Sequence, residues 1–469
     1  MSEATEREAD AGGVNSRLAV LALSGVSALG ALAAMVASLP IVAGLLALPA
    51  LGVAGFALMR SVLLCLSLVV FFQHNDIFLS LIGVPQLNKL LGAVALLAVA
   101  LSLTHRDFRQ TLAAGFLPLV CWLGVFITYG ASILIAQDPS LAFQTTERLL
   151  SMGILTLLFA FGVKSLNDLR VILNVFLLSM ALSAGVTIID YVAGEQMFSP
   201  ELRGDDGVAT WEGTVRSTGT TLESVPMSAT LLLGGVMLAF VFAFRSPRNR
   251  WLYGALAAFG AAAILLSLTR SATLSLGLAA LFMLWRLRAH PQFGKALGGL
   301  LLSAVLVAAL TPASVWSKFG ALSDTSNDST VQRRASYQVI GADLIMHNPL
   351  LGVGAGNYIV HYASDEYRFV PGRSEEPRPL HNVYLQVAAE SGIAGFIFFV
   401  AMLWSTSRIL FDLARSGNET IRLYAEALLF AFLAMAVQFV FLSSTSVLYF
   451  WVIIGLAIAL RRIAAHDRV

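Results

Sequence analysis

The chain is a series of apolar runs of about 20 residues, the length that spans a bilayer as a helix, separated by short basic clusters. Candidate runs fall at 17–37, 41–58, 61–82, 87–103, 112–135, 147–163, 168–192, 225–244, 251–268, 271–288, 296–313, 390–410, 420–441 and 444–460. Of 469 residues, 57% are hydrophobic and only 12% charged, against about 25% charged in a soluble domain. One water-soluble core cannot hide that much apolar surface, so lipid is the solvent. The expected fold is all-α and polytopic, with about 12–14 transmembrane helices.

Lys/Arg bias in short loops sets orientation. Basic clusters stand at Arg60, Arg106/Arg109, Lys164/Arg170, Arg245 to Arg250, Arg286 to Lys295, Arg408/Arg415/Arg422 and Arg461/Arg462. Each follows an even number of runs, which puts them all, and the N-terminus, in the cytoplasm. The chain then divides into a tail at 1–16, N-terminal helices at 17–192 and an outer loop at 193–224. Central helices at 225–313, a large outer segment at 314–389, C-terminal helices at 390–461 and a tail at 462–469 follow. The acidic start "MSEATEREADAGGVNSR" lacks a basic n-region, so the first run reads as a retained helix rather than a cleaved signal. The net charge of +2 gives no nucleic-acid signal, because the basic residues follow topology. Cys65 and Cys121 lie in apolar runs and read as small core residues.

Within the large segment, "STVQRRASYQVIGADLIMHNP" predicts a helix capped by Ser329 and ended by Asn348-Pro349. Val331, Ala335, Val339, Ala342 and Met346 recur at helical spacing, a face for the membrane surface or the top of the bundle.

"ILLSLTRSATLSL" (Ile264 to Leu276) sets one arginine in an uncharged run. A charge at mid-bilayer costs about 2.5–3.5 kcal/mol on insertion scales. Basic clusters on both sides require the run to cross twice, so Arg270 falls at the outer turn near Leu268 to Ser271. Three further ionisable groups share that surface: Arg148 in "LAFQTTERLL", Arg216 in "VRSTGTTLESVPMSATLLL", and His381 in "RPLHNVYLQ". Guanidinium forks bind phosphate bidentately and keep their charge, so these arginines suit an anionic lipid head, a diphosphate above all. The plain alternatives are carboxylate pairing or snorkelling for Arg270 and interface marking for Arg148. Arg203 reads as a loop ion pair with Asp205 or Asp206, and Arg333-Arg334 as a solvated helix face. His381 reads either as a structural cap or as a general base; in a helix's first turn the dipole disfavours the imidazolium, leaving a neutral ring that accepts a proton.

"NPLLGVGAGNY" has glycines but no preceding strand, and no P-loop occurs, so they read as a tight turn or a close approach. No HExxH is present and carboxylates are sparse on the outer face, which gives no catalytic metal.

Taken together, "RSTGTTLESVPMSA", "LSLTRSATLSL" and "HNPLLGVGAGNYIVHY" with "LHNVYLQVAAESGIAGF" resemble the O-antigen ligase/polymerase superfamily of bacterial envelopes. They carry an Arg-x-x-Gly-Thr loop, a Ser/Thr-Arg turn, a Pro-x-x-Gly-x-Gly segment and a His-Asn-x-x-Leu-Gln stretch with a following Glu-x-Gly, in that order. The loop has "LESVPMSA" where many relatives carry an Asn-Pro-Asn-like stretch.

The resemblance implies a glycosyltransferase with an undecaprenyl-diphosphate-linked O-antigen as donor and no cofactor or metal. A ligase transfers it to a sugar hydroxyl of lipid A-core lipopolysaccharide; polymerases and protein O-oligosaccharyltransferases are the alternatives, and a transporter is the rival of another class. The single large late segment resembles the ligases. By the same resemblance Arg216, Arg270 and Arg148 hold the donor diphosphate and His381 is catalytic. Asn382, Gln386, Glu390 and Gly354 support them. The expected setting is the bacterial inner membrane, among membrane lipids, with the site at the periplasmic face.

Overall fold

A computed structural model describes residues 61–75, 77–78, 87–197, 210–211, 214–221, 224–246, 248–289, six positions between 293 and 305, and 329–466. The runs expected at 17–37 and 41–58, most of 296–313, and Arg203 lie outside these residues.

Helices α1 (Val62–His74), α2 (Leu87–Ser102), α3 (His105–Ser132), α4 (Pro139–Gly162) and α5 (Leu166–Ala193) come first. A two-residue antiparallel ladder, β1 (Thr210–Trp211) with β2 (Thr214–Val215), leads to α6 (Val225–Arg245), α7 (Arg250–Leu266) and α8 (Arg270–Leu287). Then follow α9 (Ser329–His347), the short α10 (Tyr358–Tyr362), α11 (Val383–Leu413), α12 (Glu419–Gln438) and α13 (Leu448–His466). Among the described residues six helices are long and apolar enough to cross a membrane: α3 with its extension to Ile135, α5, α6, α11, α12 and α13. The protein is a helical, polytopic membrane protein.

Local signals fix the helix starts. Thr104 with Asp107, and Ser165 with Asp168, close capping boxes at α3 and α5. Asp138 caps α4 ahead of Pro139, so this helix begins at Pro139, two turns before the apolar run expected from 147. Likewise α11 starts at Val383 rather than near 390, because Asn382 caps a first stretch that carries Gln386 and Glu390; a non-helical Gly392 then joins it to the rest. In the run at 61–82, α1 ends at His74 with Asn75 as its cap, and Ile77 and Phe78 are helical again.

Helices α6 and α13 lie at the centre, their apolar windows 89% and 83% buried, whereas that of α3 is 39% buried and faces outward with Phe116, Leu123 and Ile127. The core is aromatic where α12 meets α13: Phe450 lies 4.8 Å from Phe432 and 4.6 Å from Phe439, ring centre to centre. A Cβ at Gly455 would stand 2.5 Å from the Thr156 carbonyl, so α13 and α4 approach as closely as small residues allow. Cys65 and Cys121 are free and buried in this core, as expected.

The two ends of the bundle differ. At one end Arg245 holds Glu426 bidentately (2.8 and 2.6 Å), and Arg462 donates to Thr111 Oγ1 (2.6 Å) and Val163 O (2.5 Å). There Lys164 also lies 3.6 Å from Asp107. These residues belong to the basic loops and their partners. At the other end α9, α10 and the 348–380 loops cover the helix tips with a small core of Tyr337, Ile340, Leu344, Tyr358, Tyr362 and Leu380. That core sets the orientation of α9: Ser336, Tyr337, Ile340, Gly341 and Leu344 pack inward on the bundle, while Ala335, Val339, Ala342 and Met346, four of the five residues expected to face the membrane surface or the top of the bundle, are exposed. Its large aromatic side chain, not the aliphatic repeat, decides the buried face.

Candidate functional site

Arg216 stands on a loop driven into the bundle by a polar ladder. Ser179, Ser183, Thr187 and Asp190 line one face of α5 and are buried. Against them lie Ser217, Thr218, Thr220 and Thr221, also buried. Ser217 Oγ donates to Asp190 Oδ2 (2.5 Å), the Gly219 amide donates to Ser217 Oγ (3.0 Å), and Thr220 Oγ1 donates to the His74 carbonyl (3.1 Å). Gly219 has φ +61°, and a Cβ there would stand 2.1 Å from Ser183 Oγ, so the turn admits only glycine. Gln196 Nε2 donates to the Arg216 carbonyl (3.0 Å). The arginine itself is half-buried, with Nε shielded and given no acceptor. Its guanidinium pKa is pushed down by burial, then by the charges of Arg334 and Arg270.

Arg270 opens α8 directly after a tight turn. Ser267, Leu268 and Thr269 are all buried, and Leu268 has φ +54°, a conformation costing about 1–2 kcal/mol for a residue with a Cβ. The first turn of α8 is pinned by Gln438 at the end of α12. Its Oε1 accepts from Ser275 Oγ (2.8 Å) and its Nε2 donates to Ser271 Oγ (3.2 Å). A cation at a helix N-terminus opposes the dipole.

His381 lies one residue before the cap of α11 rather than in the first turn, which corrects the dipole expectation. The cap is Asn382, whose Oδ1 accepts from the amides of Tyr384 (3.1 Å) and Leu385 (3.2 Å). His381 has φ +55°; it and Leu268 are the described non-glycine residues with positive φ. Fully buried Leu380 holds it on one side, and the Val383 amide, bonded to the Phe439 carbonyl at 2.9 Å, on the other. Burial first, then Arg334 and Arg378, pull the imidazole down to about 4, so the ring is neutral at neutral pH.

Three residues beside it carry chemistry that sequence reasoning missed or set aside. Arg334, read as a solvated face, presses electrostatically on both Arg216 and His381 and so links the two. Tyr337, one turn further along α9, lies 5.6 Å from the His381 ring. Arg378 pairs with Glu376 while its Nε is shielded without an acceptor. The helical pitch of α9 puts Arg334 and Tyr337 on neighbouring turns; the docking that brings them over α11 is tertiary.

The glycine segment approaches backbone. At Gly392 (φ +73°) the helical bonding of α11 is broken, and residues 349–354 fill the gap. Ile393 N donates to Pro349 O (2.8 Å), Val353 N to Ala389 O (2.8 Å) and Gly354 N to Glu390 O (3.2 Å). A Cβ would stand 2.4 Å from Ala389 O at Gly352 and 2.6 Å from Ala136 Cβ at Gly354. Glu390 is buried beneath this joint, accepting from Gln386 Nε2 at 3.0 Å, with the Gly356 and Tyr358 amides facing its carboxylate. Asn382, Gln386 and Glu390 therefore descend one face of α11 at spacings of four.

Arg216, Arg270, Arg334 and His381 thus share one end of the bundle. Arg148 is exposed on α4, and no contact joins it to this group. The arrangement offers fixed positive charge beside a neutral, hydrogen-bonding ring at the mouth of a membrane bundle, suited to an anionic leaving group and a proton-bearing nucleophile.

Residues 255–400 match the model of a family described as O-antigen ligase. This stretch runs from α7 into α11 and includes Arg270, Arg334 and His381; Arg216 precedes it. No curated protein matches the chain.

Proposed function

We propose that this chain, a member of the O-antigen ligase/polymerase superfamily by the domain at residues 255–400, is an O-antigen ligase. It transfers a glycan from undecaprenyl diphosphate to a sugar hydroxyl of the lipid A core of lipopolysaccharide. It works in the bacterial inner membrane with the site at the periplasmic face, since the basic loops at the opposite end of the bundle belong in the cytoplasm. The observation that carries the reading is the position of Arg334, whose charge acts on Arg216 on one side and on His381 on the other, with Arg270 beside Arg216.

Bond cleavage at the anomeric carbon leaves negative charge on the diphosphate, and pre-placed guanidinium groups stabilise that charge as it develops. His381 takes the proton of the acceptor hydroxyl as the oxygen attacks from the opposite face, so configuration inverts. The diphosphate already activates the donor, and no step is assigned to a metal. A histidine held near 4 is a weak base. Burial is the larger cause and the charge of Arg334 the next; donor phosphate on Arg334 offsets the second, so binding the donor raises the imidazole.

The test is purified protein in proteoliposomes with lipid-linked glycan and rough lipopolysaccharide. Glycan on the lipid A core, lost in His381→Ala and Arg270→Ala, supports the reading. Extension of the lipid-linked glycan alone makes the protein a polymerase.

A further inference from the structure

Beyond Arg334 the exposed face of α9 has no role in that chemistry, and it carries large apolar side chains. Val339 is 58% exposed, Met346 78% and Leu350, in the turn that follows, 80%. Contacts fix how this face lies relative to the bundle. Asn382 Nδ2 reaches Gln338 Oε1 (3.4 Å) at the start of α11, and Pro349 O accepts from Ile393 N (2.8 Å) eleven residues further on. Helix α9 therefore runs alongside the first part of α11 in the same direction for ~15 Å at 1.5 Å per residue. Its lower end meets α11 at the Gly392 break. Below that break the outward side of α11 is the lipid-facing surface of a membrane span, with Ile393 46%, Ile397 59% and Trp404 57% exposed. The Leu350 backbone touches Gly392, where an added Cβ would lie 2.2 Å from the Leu350 carbonyl oxygen. The apolar strip on α9 is thus continuous with a lipid-covered face, while Arg333 and Arg334 sit at its upper end.

We propose that α9 is an interfacial helix: Met346 and Leu350, with Val339 above them, lie against the acyl chains of the leaflet on the site side. Continuity with the lipid-facing side of α11 selects lipid as the occupant. The placement sets His381 ~15 Å from Gly392 along the first part of α11, on the headgroup side of the lipid contact. The bearing of that position on transfer rests on the proposed reaction; the placement of the helix does not.

Spin labels on single cysteines test it in proteoliposomes. Cys65 and Cys121 are 3% and 4% exposed and stay in place. Leu350→Cys, Met346→Cys and Val339→Cys are compared with Ile397→Cys as the lipid reference and Glu375→Cys as the water reference. Collision with oxygen should match Ile397→Cys at position 350 and decline through 346 to 339, with little access to a water-soluble nickel chelate at the two lower sites. A water-like profile at 346 and 350 overturns the proposal, as does protection from both reagents, which would mean a second copy or another protein on the face. In a transfer assay Met346→Asp should raise KM for rough lipopolysaccharide about fivefold and leave KM for its deacylated form unchanged. An inactive protein that still shows the lipid profile would count against the transfer reading alone.

Discussion

The Tyr337 ring lies 5.6 Å from the His381 ring, the planes inclined at 39°. The pair closes the site from the α9 side, and it makes the phenyl body of Tyr337 a separate variable from its hydroxyl. Tyr337→Phe keeps the body and should hold kcat within about threefold. Tyr337→Ala removes the wall against His381 and should lower kcat about 10–100-fold, the scale on which misplacing a catalytic group by an ångström acts. Steady-state kinetics on both variants separate wall from hydroxyl; equal losses would make the hydroxyl the working part.

Arg334 should behave as a member of the anion site. Arg334→Ala is expected to lower kcat/KM by at least about tenfold, equivalent to ~1.4 kcal/mol of transition-state stabilisation. In the free protein the same change removes a positive charge from beside His381 and should raise its pKa above about 4. Titration of the imidazole by NMR reads this independently of turnover.

Arg148 lies on an exposed surface of α4. Arg148→Ala should retain activity within about twofold, a difference near the noise of surface substitutions. A loss above tenfold would extend the diphosphate site to α4.

The depressed imidazole also fixes the sign of a pH effect. Folding holds His381 near 4 against about 6.5 in the unfolded chain, so the unfolded state binds the extra proton in that window. The His381 contribution to stability is complete above about 6.5 and falls as pH drops toward 4. Removing the imidazole should therefore flatten the acid side of the thermal-midpoint profile. The acid limb of kcat/KM, which reports the free enzyme, should lie below that of kcat, which reports the donor complex.

Gly392→Ala should be costly. It meets both a positive φ and a carbonyl oxygen 2.2 Å from the new Cβ, so a loss of about 2–3 kcal/mol is expected. Gly417, exposed and with nothing within 4 Å of where a methyl would stand, is the control and should change little. Thermal unfolding in detergent compares them.

The apolar helices among the described residues and the turn ahead of Arg270 were legible because lipid and loop charge act on sequence directly. A run of apolar residues between two basic clusters has few alternatives. His381 was legible as a residue but not in its setting: the depressed imidazole comes from burial and two guanidinium groups, not from a first-turn dipole. Arg334 was illegible, since on its own helix it reads as one more exposed arginine. Only the docking of Tyr337, Ile340 and Leu344 onto the cap turns that edge toward His381. The glycines of residues 352–356 announced a close approach without naming what is approached, because the gap they fill exists only once α11 breaks at Gly392.

Position 381 is screened twice. Chemistry asks for a side chain that can accept a proton, and a left-handed backbone admits few residues besides glycine, asparagine, aspartate and histidine without strain. Substitutes chosen for acid–base character alone, such as glutamate or lysine, would pull the neighbouring cap out of register, so loss of turnover in them would report geometry together with proton transfer. Asparagine, which tolerates the same backbone, is the replacement that isolates the proton.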